Sequence, residues 1–378
     1  MGLNSLRPSL KRSEQELIRP PEARLRFRLL KTVLINLAIT CALFLCLEIS
    51  YRVWLYFRNC DTLCHNIAFL TKLDAYHRDK VYGFLSADRV VGYAPADGTF
   101  VIREPGWNNA TITIRQGLRI NPNFDPSTTS NPILAVGESF VFGDQVSDGE
   151  TWPALLERRL NRRVVNGGVS GYGPLQAVLR AEQLLKLQSY SLVILSILVG
   201  EDLPRDRWVN ASKFYRPSVI LDDGHLRHTT IAESQRIVAD NFVCTHSEIA
   251  EFFFWSHVAR RFFSTIGYDG RCSNIVHPKA ATEDEILNYV IERLAALPVK
   301  TAVLIQYPRY SFEGASIDEA HKIRALAIHH GVQVIDTYAA IKDKPLRETY
   351  IYSPWWPHHS PSGNEVVAHA IANALEVQ

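Results

Sequence analysis

The chain has 378 residues, 47% hydrophobic and 21% charged, and its 41 Lys and Arg against 39 Asp and Glu leave a formal net charge of +2. With no basic stripe beyond the amino-terminal leader, nucleic acid is excluded as an expected partner, since phosphate binding needs a concentrated positive face. No G-x-G-x-x-G or Walker pattern opens a helix, so no phosphate-bearing cofactor is expected.

Residues 1–31 are polar and basic, with Arg7, Lys11, Arg12, Arg19, Arg24, Arg26, Arg28 and Lys31 against Glu14, Glu16 and Glu22. The run from Thr32 to Leu47 is almost wholly apolar and continues through Glu48 and Arg52 to Phe57. About twenty apolar positions cross a bilayer as a helix. Residues 32–57 supply them if Glu48 and Arg52, one turn apart, pair or lie near the interface, and Tyr51, Trp54 and Tyr56 fit an aromatic belt. No small-x-small cleavage site follows Leu47, so the expectation is a single-pass signal anchor, with a cytoplasmic leader and everything beyond about Phe57 outside. Cys41 and Cys46 fall in this span, while Cys60, Cys64, Cys244 and Cys272 lie beyond it. Their even number suggests Cys60–Cys64 and Cys244–Cys272 disulfides, although four cysteines permit three pairings. A zinc site using His65 or His246 ranks lower, because the CxxxC spacing has no close second pair, and no metal is expected.

Residues 58–130 read as a linker and a β-rich preface, with short segments Val90–Pro95, Gly98–Ile102 and Thr111–Arg115 broken by Gly and Pro. Residues 131–378 then alternate strand and helix. Strands are predicted at 133–136, 163–166, 192–199, 301–306 and 332–335, and helices near 151–161, 174–187, 283–296, 316–330 and 364–376. That alternation predicts an α/β fold with a parallel sheet wound on both faces. The stretch 203–280 is too long for a connection and reads as a helical insertion. Its aromatic run Ile249 to Ile266 reads as a buried helix in preference to a sugar-stacking platform.

Four strand-end loops carry the chemistry. An apolar run from Ile133 ends in Gly137-Glu138-Ser139, which sets a serine hydroxyl at the tip of a buried strand and a helix pattern, Thr151 to Leu160, behind it. Asn166 to Gly173 is a glycine-rich loop whose N–H groups can approach an oxyanion. Leu192 to Val199 runs into Gly200-Glu201-Asp202, and His358-His359-Ser360-Pro361-Ser362-Gly363-Asn364 precedes the last helix. In a parallel sheet such loops converge on the carboxyl edge, where these folds bind ligands.

From about Gly92 onward, these four blocks in this order resemble the SGNH/GDSL hydrolase family, in particular its membrane-anchored bacterial members. The resemblance implies a flavodoxin-like three-layer α/β/α sandwich. It implies that Ser139 attacks an ester carbonyl with His358 as its base, while the amides of Ser139 and Gly171 bind the oxyanion. His358 stands five residues before Gly363, as in the family, and His359 is the alternative base.

Two positions depart from the pattern. Glu201 stands where the family has an oxyanion-donating Asn, and Trp355 and Trp356 stand where it has the Asp that orients the histidine. Loss of one oxyanion donor costs roughly 10²–10³ in rate, and loss of the orienting acid about 10⁴. The compensations weighed are a protonated Glu201 that donates, or Asp202 or Asp336 reaching His358. Tyr172 and Trp356 are expected to bind substrate, with Arg205 and Asp206 nearby.

The implied function is an ester hydrolase or O-acyltransferase acting on acyl groups, typically acetyl, of envelope or exported glycans. It would be anchored in a bacterial inner membrane beside envelope polysaccharide machinery, with the catalytic domain in the periplasm. The alternative is a weak or inactive protein that uses the same cleft to hold a glycan or partner.

Overall fold

The computed structural model describes residues 30–43, 45–46, 82–103, 106–122, 131–211, 214–240, 275–314, 317–351 and 357–376. The chain divides into two compact units, the first made of residues 1–63 and 256–258. Its described residues, 30–43 and 45–46, are helical and expose apolar side chains such as Val33, Leu34, Ile35, Leu37, Ile39 and Leu43. Among the described residues no helix is long and apolar enough to cross a membrane. The second half of the expected span lies outside them, as do Cys60, Cys64, Cys244 and Cys272 with their expected pairings. Cys41 and Cys46 are exposed free thiols.

The second unit opens with a hairpin of β1 (Leu85–Asp88) and β2 (Gly92–Pro95). Asp88 closes its turn by accepting from the N–H groups of Val90 and Val91, at 2.7 and 2.9 Å. Next, β3 (Gly98–Ile102), β4 (Ala110–Arg115) and β5 (Leu118–Arg119) form an antiparallel meander. Gln116 and Gly117, with φ of 54° and 70°, supply the paired left-handed conformations of a two-residue hairpin between β4 and β5.

The alternating core comes next in chain order: β6 (Ile133–Val136), the single turn α1 (Ser139–Phe142), α2 (Trp152–Leu160), β7 (Val164–Asn166), α3 (Pro174–Leu185) and β8 (Leu192–Leu198). After β8 come β9 (Asn210–Ala211), β10 (Phe214–Tyr215), β11 (Val219–Asp222), β12 (His225–His228) and α4 (Ile231–Asp240). The core resumes with α5 (Glu283–Ala295), β13 (Lys300–Gln306), α6 (Asp318–His329), β14 (Gln333–Asp336) and α7 (Pro361–Glu376).

One sheet has the order β14-β13-β8-β6-β7-β5-β4-β3. The strands from β14 to β7 pair in parallel. The preface then extends the same sheet antiparallel, through the pair Arg119 with Asn166. Strand alternation divides the core into two layers. Leu134, Val136, Val193, Leu195 and Ile197 pack with residues of α3, α5 and α6, whereas Ile133, Ala135, Leu192 and Ile194 pack with α2 and α7. Every residue of β8 is buried, as expected for a strand covered on both faces. Its one polar member, Ser196, bridges Glu138 and Gln306 at 3.2 and 2.7 Å.

Two expectations need correction. The described part of the 203–280 insertion is two antiparallel pairs, β9 with β10 and β11 with β12, followed by α4, and not simply helical. Asp223-Gly224, with φ of 49° and 80°, is the type I′ hairpin dipeptide that dictates this. The run Ile249 to Ile266 lies outside the described residues. The helix directly behind the serine is the single turn α1, because Gly143 at φ 85° ends it, and α2 starts only at Trp152.

Asp206 caps α3 by accepting from Leu175 N–H at 2.7 Å, while its Oδ1 finds no hydrogen-bond partner among the described residues. Burial pushes its carboxyl up to about 7. Between the unfolded carboxylate value and about 7, the folded chain holds a proton that the unfolded chain has released, so this group weakens the fold as pH rises. Asp206→Asn keeps the acceptor without the charge. Its stability relative to wild type should therefore rise from near parity at acid pH to a gain of up to roughly 4 kcal/mol above neutrality, in urea unfolding across pH.

Candidate active site

The Ser139 turn is built by close packing. At Gly137 a Cβ would lie 2.6 Å from Val141 Cγ2 and 2.8 Å from Ser196 Cβ, so the chain leaves β6 where only glycine fits. Glu138 is the N-cap of α1, its Oε2 accepting from Phe140 N–H at 2.9 Å, and burial raises its carboxyl. Ser139 starts the turn. Gly143 ends it by returning its N–H to Ser139 O at 2.8 Å.

The buried guanidinium of Arg119 fixes the next stretch of backbone. Nη1 donates to Phe142 O and Gly143 O at 2.7 and 2.5 Å, Nη2 donates to Val146 O at 2.6 Å, and Nε meets Asp148 at 3.0 Å. This grip shapes the turn carrying Asp144 and Gln145.

Ser139 Oγ and His358 Nε2 lie 2.8 Å apart, across 219 positions of sequence. His358 Nδ1 is 2.9 Å from Gln145 Oε1, which also accepts the backbone N–H of His358 at 3.1 Å. Because that backbone N–H can only donate, the glutamine atom facing it is the carbonyl oxygen. Nδ1 must then carry a hydrogen, and the Nε2 lone pair faces the serine hydroxyl. The imidazole is thereby set as a base toward Ser139.

The second loop locks onto the first. Asn166 Nδ2 donates to Val141 O at 2.9 Å, and Val169 N–H donates to Gly137 O at 3.0 Å. At Gly168 a Cβ would lie 2.5 Å from Phe142 N, so no larger residue fits. Gly171 takes φ 78°, and neither its N–H nor that of Ser139 donates to another described residue.

Asp144 is fully buried. Its Oδ1 accepts from Ser170 Oγ at 2.5 Å and its Oδ2 from Tyr82 OH at 2.9 Å, and Oδ2 lies 3.9 Å from His358 Nε2. Burial pushes this carboxyl up to about 7, opposed by the two hydroxyls and by Arg119.

Several residues singled out from sequence stand elsewhere. Glu201 accepts from Tyr310 OH and pairs with Arg205 at 3.9 Å, so its side chain faces two donors and is not the third oxyanion donor. Asp202 accepts from Leu198 N–H at 2.7 Å and pairs with Arg205 at 2.6 Å, while Asp336 is engaged by Arg324 and Tyr307. Neither acid meets His358, whose Nδ1 is taken by Gln145. Tyr172 is a core residue, fully buried with its hydroxyl on Tyr93 O. His359 is buried between Phe140 and Tyr350, and burial with the neighbouring His358 lowers its imidazole to about 3. It stays neutral, and the Ser139 hydroxyl is met by His358 instead. Trp355 and Trp356 lie outside the described residues.

Gln145 and Asp144 were missed. The available signal was a polar pair directly after the glycine that ends the apolar nucleophile segment. Among the described residues no group of three His, Cys, Asp or Glu is placed to hold a metal.

No protein-family model matches the chain, and no curated protein matches it. Among solved structures it is similar to a member of the lipolytic protein G-D-S-L family from Veillonella parvula, with 14% identity over 66% of this chain and 98% of that one and a TM-score of 0.33. It is also similar to the lipase/acylhydrolase from Enterococcus faecalis, with 14% identity over 66% and 96% and a TM-score of 0.36. A third similar structure is the psychrotrophic esterase EstA from Pseudoalteromonas sp., with 12% identity over 66% and 98% and a TM-score of 0.34.

The two adjacent histidines make opposite predictions. His358→Ala should slow acylation of Ser139 by at least ~10³, whereas His359→Phe, which keeps the aromatic packing, should stay within about tenfold of wild type. Both are read as the rate of covalent labelling by a fluorophosphonate.

Proposed function

We propose that the chain is an ester-chemistry enzyme of the SGNH/GDSL type, with a membrane anchor in its amino-terminal segment and its catalytic unit outside the cytoplasm. The observation that carries this reading is the 2.8 Å contact of Ser139 Oγ with His358 Nε2, in the tautomer set by Gln145. Ser139 Oγ attacks the ester carbonyl carbon while its proton passes to Nε2. The tetrahedral oxyanion faces the N–H groups of Ser139 and Gly171. Collapse breaks the bond to the leaving oxygen, which takes the proton from Nε2 and departs as an alcohol. A second hydroxyl, from water or from an acceptor, then gives its proton to Nε2 and attacks the acyl-enzyme, releasing an acid or a new ester and restoring the serine.

The basic leader and the exposed apolar side chains of the helix that follows it support a membrane-anchored protein in a bacterial envelope. An acylated, typically acetylated, glycan of the envelope or of an exported polymer fits that location. Such an enzyme would work beside envelope polysaccharide machinery.

A slower catalyst than a full triad is expected, because Glu201 adds no donor to the oxyanion site and the partner of Nδ1 is uncharged. The same observation favours a second reading, a protein that binds glycan or partner without turnover. A fluorophosphonate separates the two: labelling lost in Ser139→Ala supports chemistry, and an unlabelled wild type supports binding. Acetate release with and without an acceptor glycan distinguishes hydrolysis from transfer. For the anchor, protease added to intact spheroplasts should digest the catalytic unit, and protection until the inner membrane is opened would reverse the orientation.

A further inference from the structure

We propose that two adjacent side chains of one turn divide the work that a single acid does in a serine triad: Gln145 orients His358 through Nδ1, and the Asp144 carboxylate supplies the counter-charge to the imidazolium from the Nε2 side. This rests on the ester-chemistry reading above and deepens it, by assigning two positioning residues that no motif in the chain marks.

The backbone identifies Gln145 first. It has φ 70°, a left-handed conformation that a side chain as long as glutamine rarely adopts, and it is held there by Arg119 on the carbonyls either side of the 144–145 pair. The result of that strain is specific. A single oxygen, Oε1, accepts both the main-chain N–H and the Nδ1–H of His358, fixing ring position and tautomer together. An amide carbonyl does this as well as a carboxylate does, but it adds no charge.

The charge stands one residue earlier. When the Ser139 O–H bond breaks and the Nε2–H bond forms, a positive charge spreads over the ring, with Asp144 Oδ2 at 3.9 Å from Nε2. The carboxylate cannot swing away, because Ser170 Oγ holds one oxygen and Tyr82 OH the other. Where Asp144 is ionised, no proton needs to reach it, and its charge lowers the energy of the imidazolium. The groups facing it are Tyr82 from ahead of β1, Arg119 from β5, Glu138 at the start of α1, Ser170 in the second loop and His358 in the last. Burial places its ionisation at about 7, so the counter-charge is absent in acid and present above neutrality.

The test uses the full chain in detergent with ¹⁵N-labelled histidine, following the His358 ring through pH in wild type, Asp144→Asn, Gln145→Leu and Gln145→Glu. Wild type should show hydrogen on Nδ1 at high pH. Asp144→Asn should move the His358 titration midpoint down by about one pH unit or more with the tautomer kept. Gln145→Leu should instead lose the single tautomer. Gln145→Glu, which returns charge to Nδ1, should raise the midpoint and shrink the effect of Asp144→Asn in the double variant. Turnover of an aryl acetate should change in parallel, with kcat about tenfold lower in Asp144→Asn above neutrality, KM little changed, and the difference fading in acid.

A midpoint unmoved by Asp144→Asn, or a tautomer indifferent to Gln145→Leu, overturns the proposal. Should Asp144→Asn fail to fold, Gln145→Glu decides alone, since an unchanged midpoint there also overturns it. Fluorophosphonate labelling of Ser139 is scored separately: its absence beside the expected midpoints sinks the esterase reading and leaves the assignment at His358 standing.

Discussion

The site depends on one buried cation. Arg119, carried by a two-residue strand ahead of Ser139, donates to three carbonyls at the end of α1 and in the turn that follows. Burying a guanidinium costs several kcal/mol, and burial lowers its basicity here. Asp148 offsets the charge at 3.0 Å, and hydrogen bonds from a charged donor contribute roughly 1.5–3 kcal/mol each. Carbonyls at and beyond the end of α1, which the helix itself leaves open, thereby gain a charged donor. With the carbonyls on either side of Asp144 and Gln145 gathered onto one guanidinium, Gln145 is held in its left-handed conformation, where its side chain meets His358.

The preface is therefore part of the machinery. It joins the central sheet through β5 and β7, and Asn166, at the end of β7, holds the opposite side of the same turn through Val141 O and Phe142 O. Segments from the preface, the second loop and the carboxyl-terminal loop thus meet on one stretch of backbone. Close packing at Gly137 and Gly168 keeps their spacing fixed, because atoms already in van der Waals contact cannot yield without moving a strand.

Much of this was legible in the chain. The five parallel strands and the five long helices of the core fall within a few residues of their expected places, because continuous apolar runs and helical periodicity are set locally. The serine, the glycine-rich loop and the late histidine were legible as well, since each follows a strand or precedes a helix. The partner of β5 was not, because alternation shows that a strand has two faces and never which neighbour it bonds. Gln145 was hidden for a similar reason: its contact with His358 spans 213 positions, and glutamine carries no signature of such a role. Glu201 was read by its place in a motif, yet its direction is decided by Tyr310 and Arg205. Asp223-Gly224 is a hairpin signal carried openly by the chain.

Tyr82 ties the segment ahead of β1 to the Ser139 site. Its hydroxyl reaches Asp144 at 2.9 Å while its ring packs edge-on against Phe84 and Trp107. A shortened protein that begins after it would keep every strand of the sheet and still forfeit one of two hydroxyls steadying that carboxylate. Trimming chosen by secondary structure alone would then leave the strands whole and the carboxylate beside His358 less firmly held.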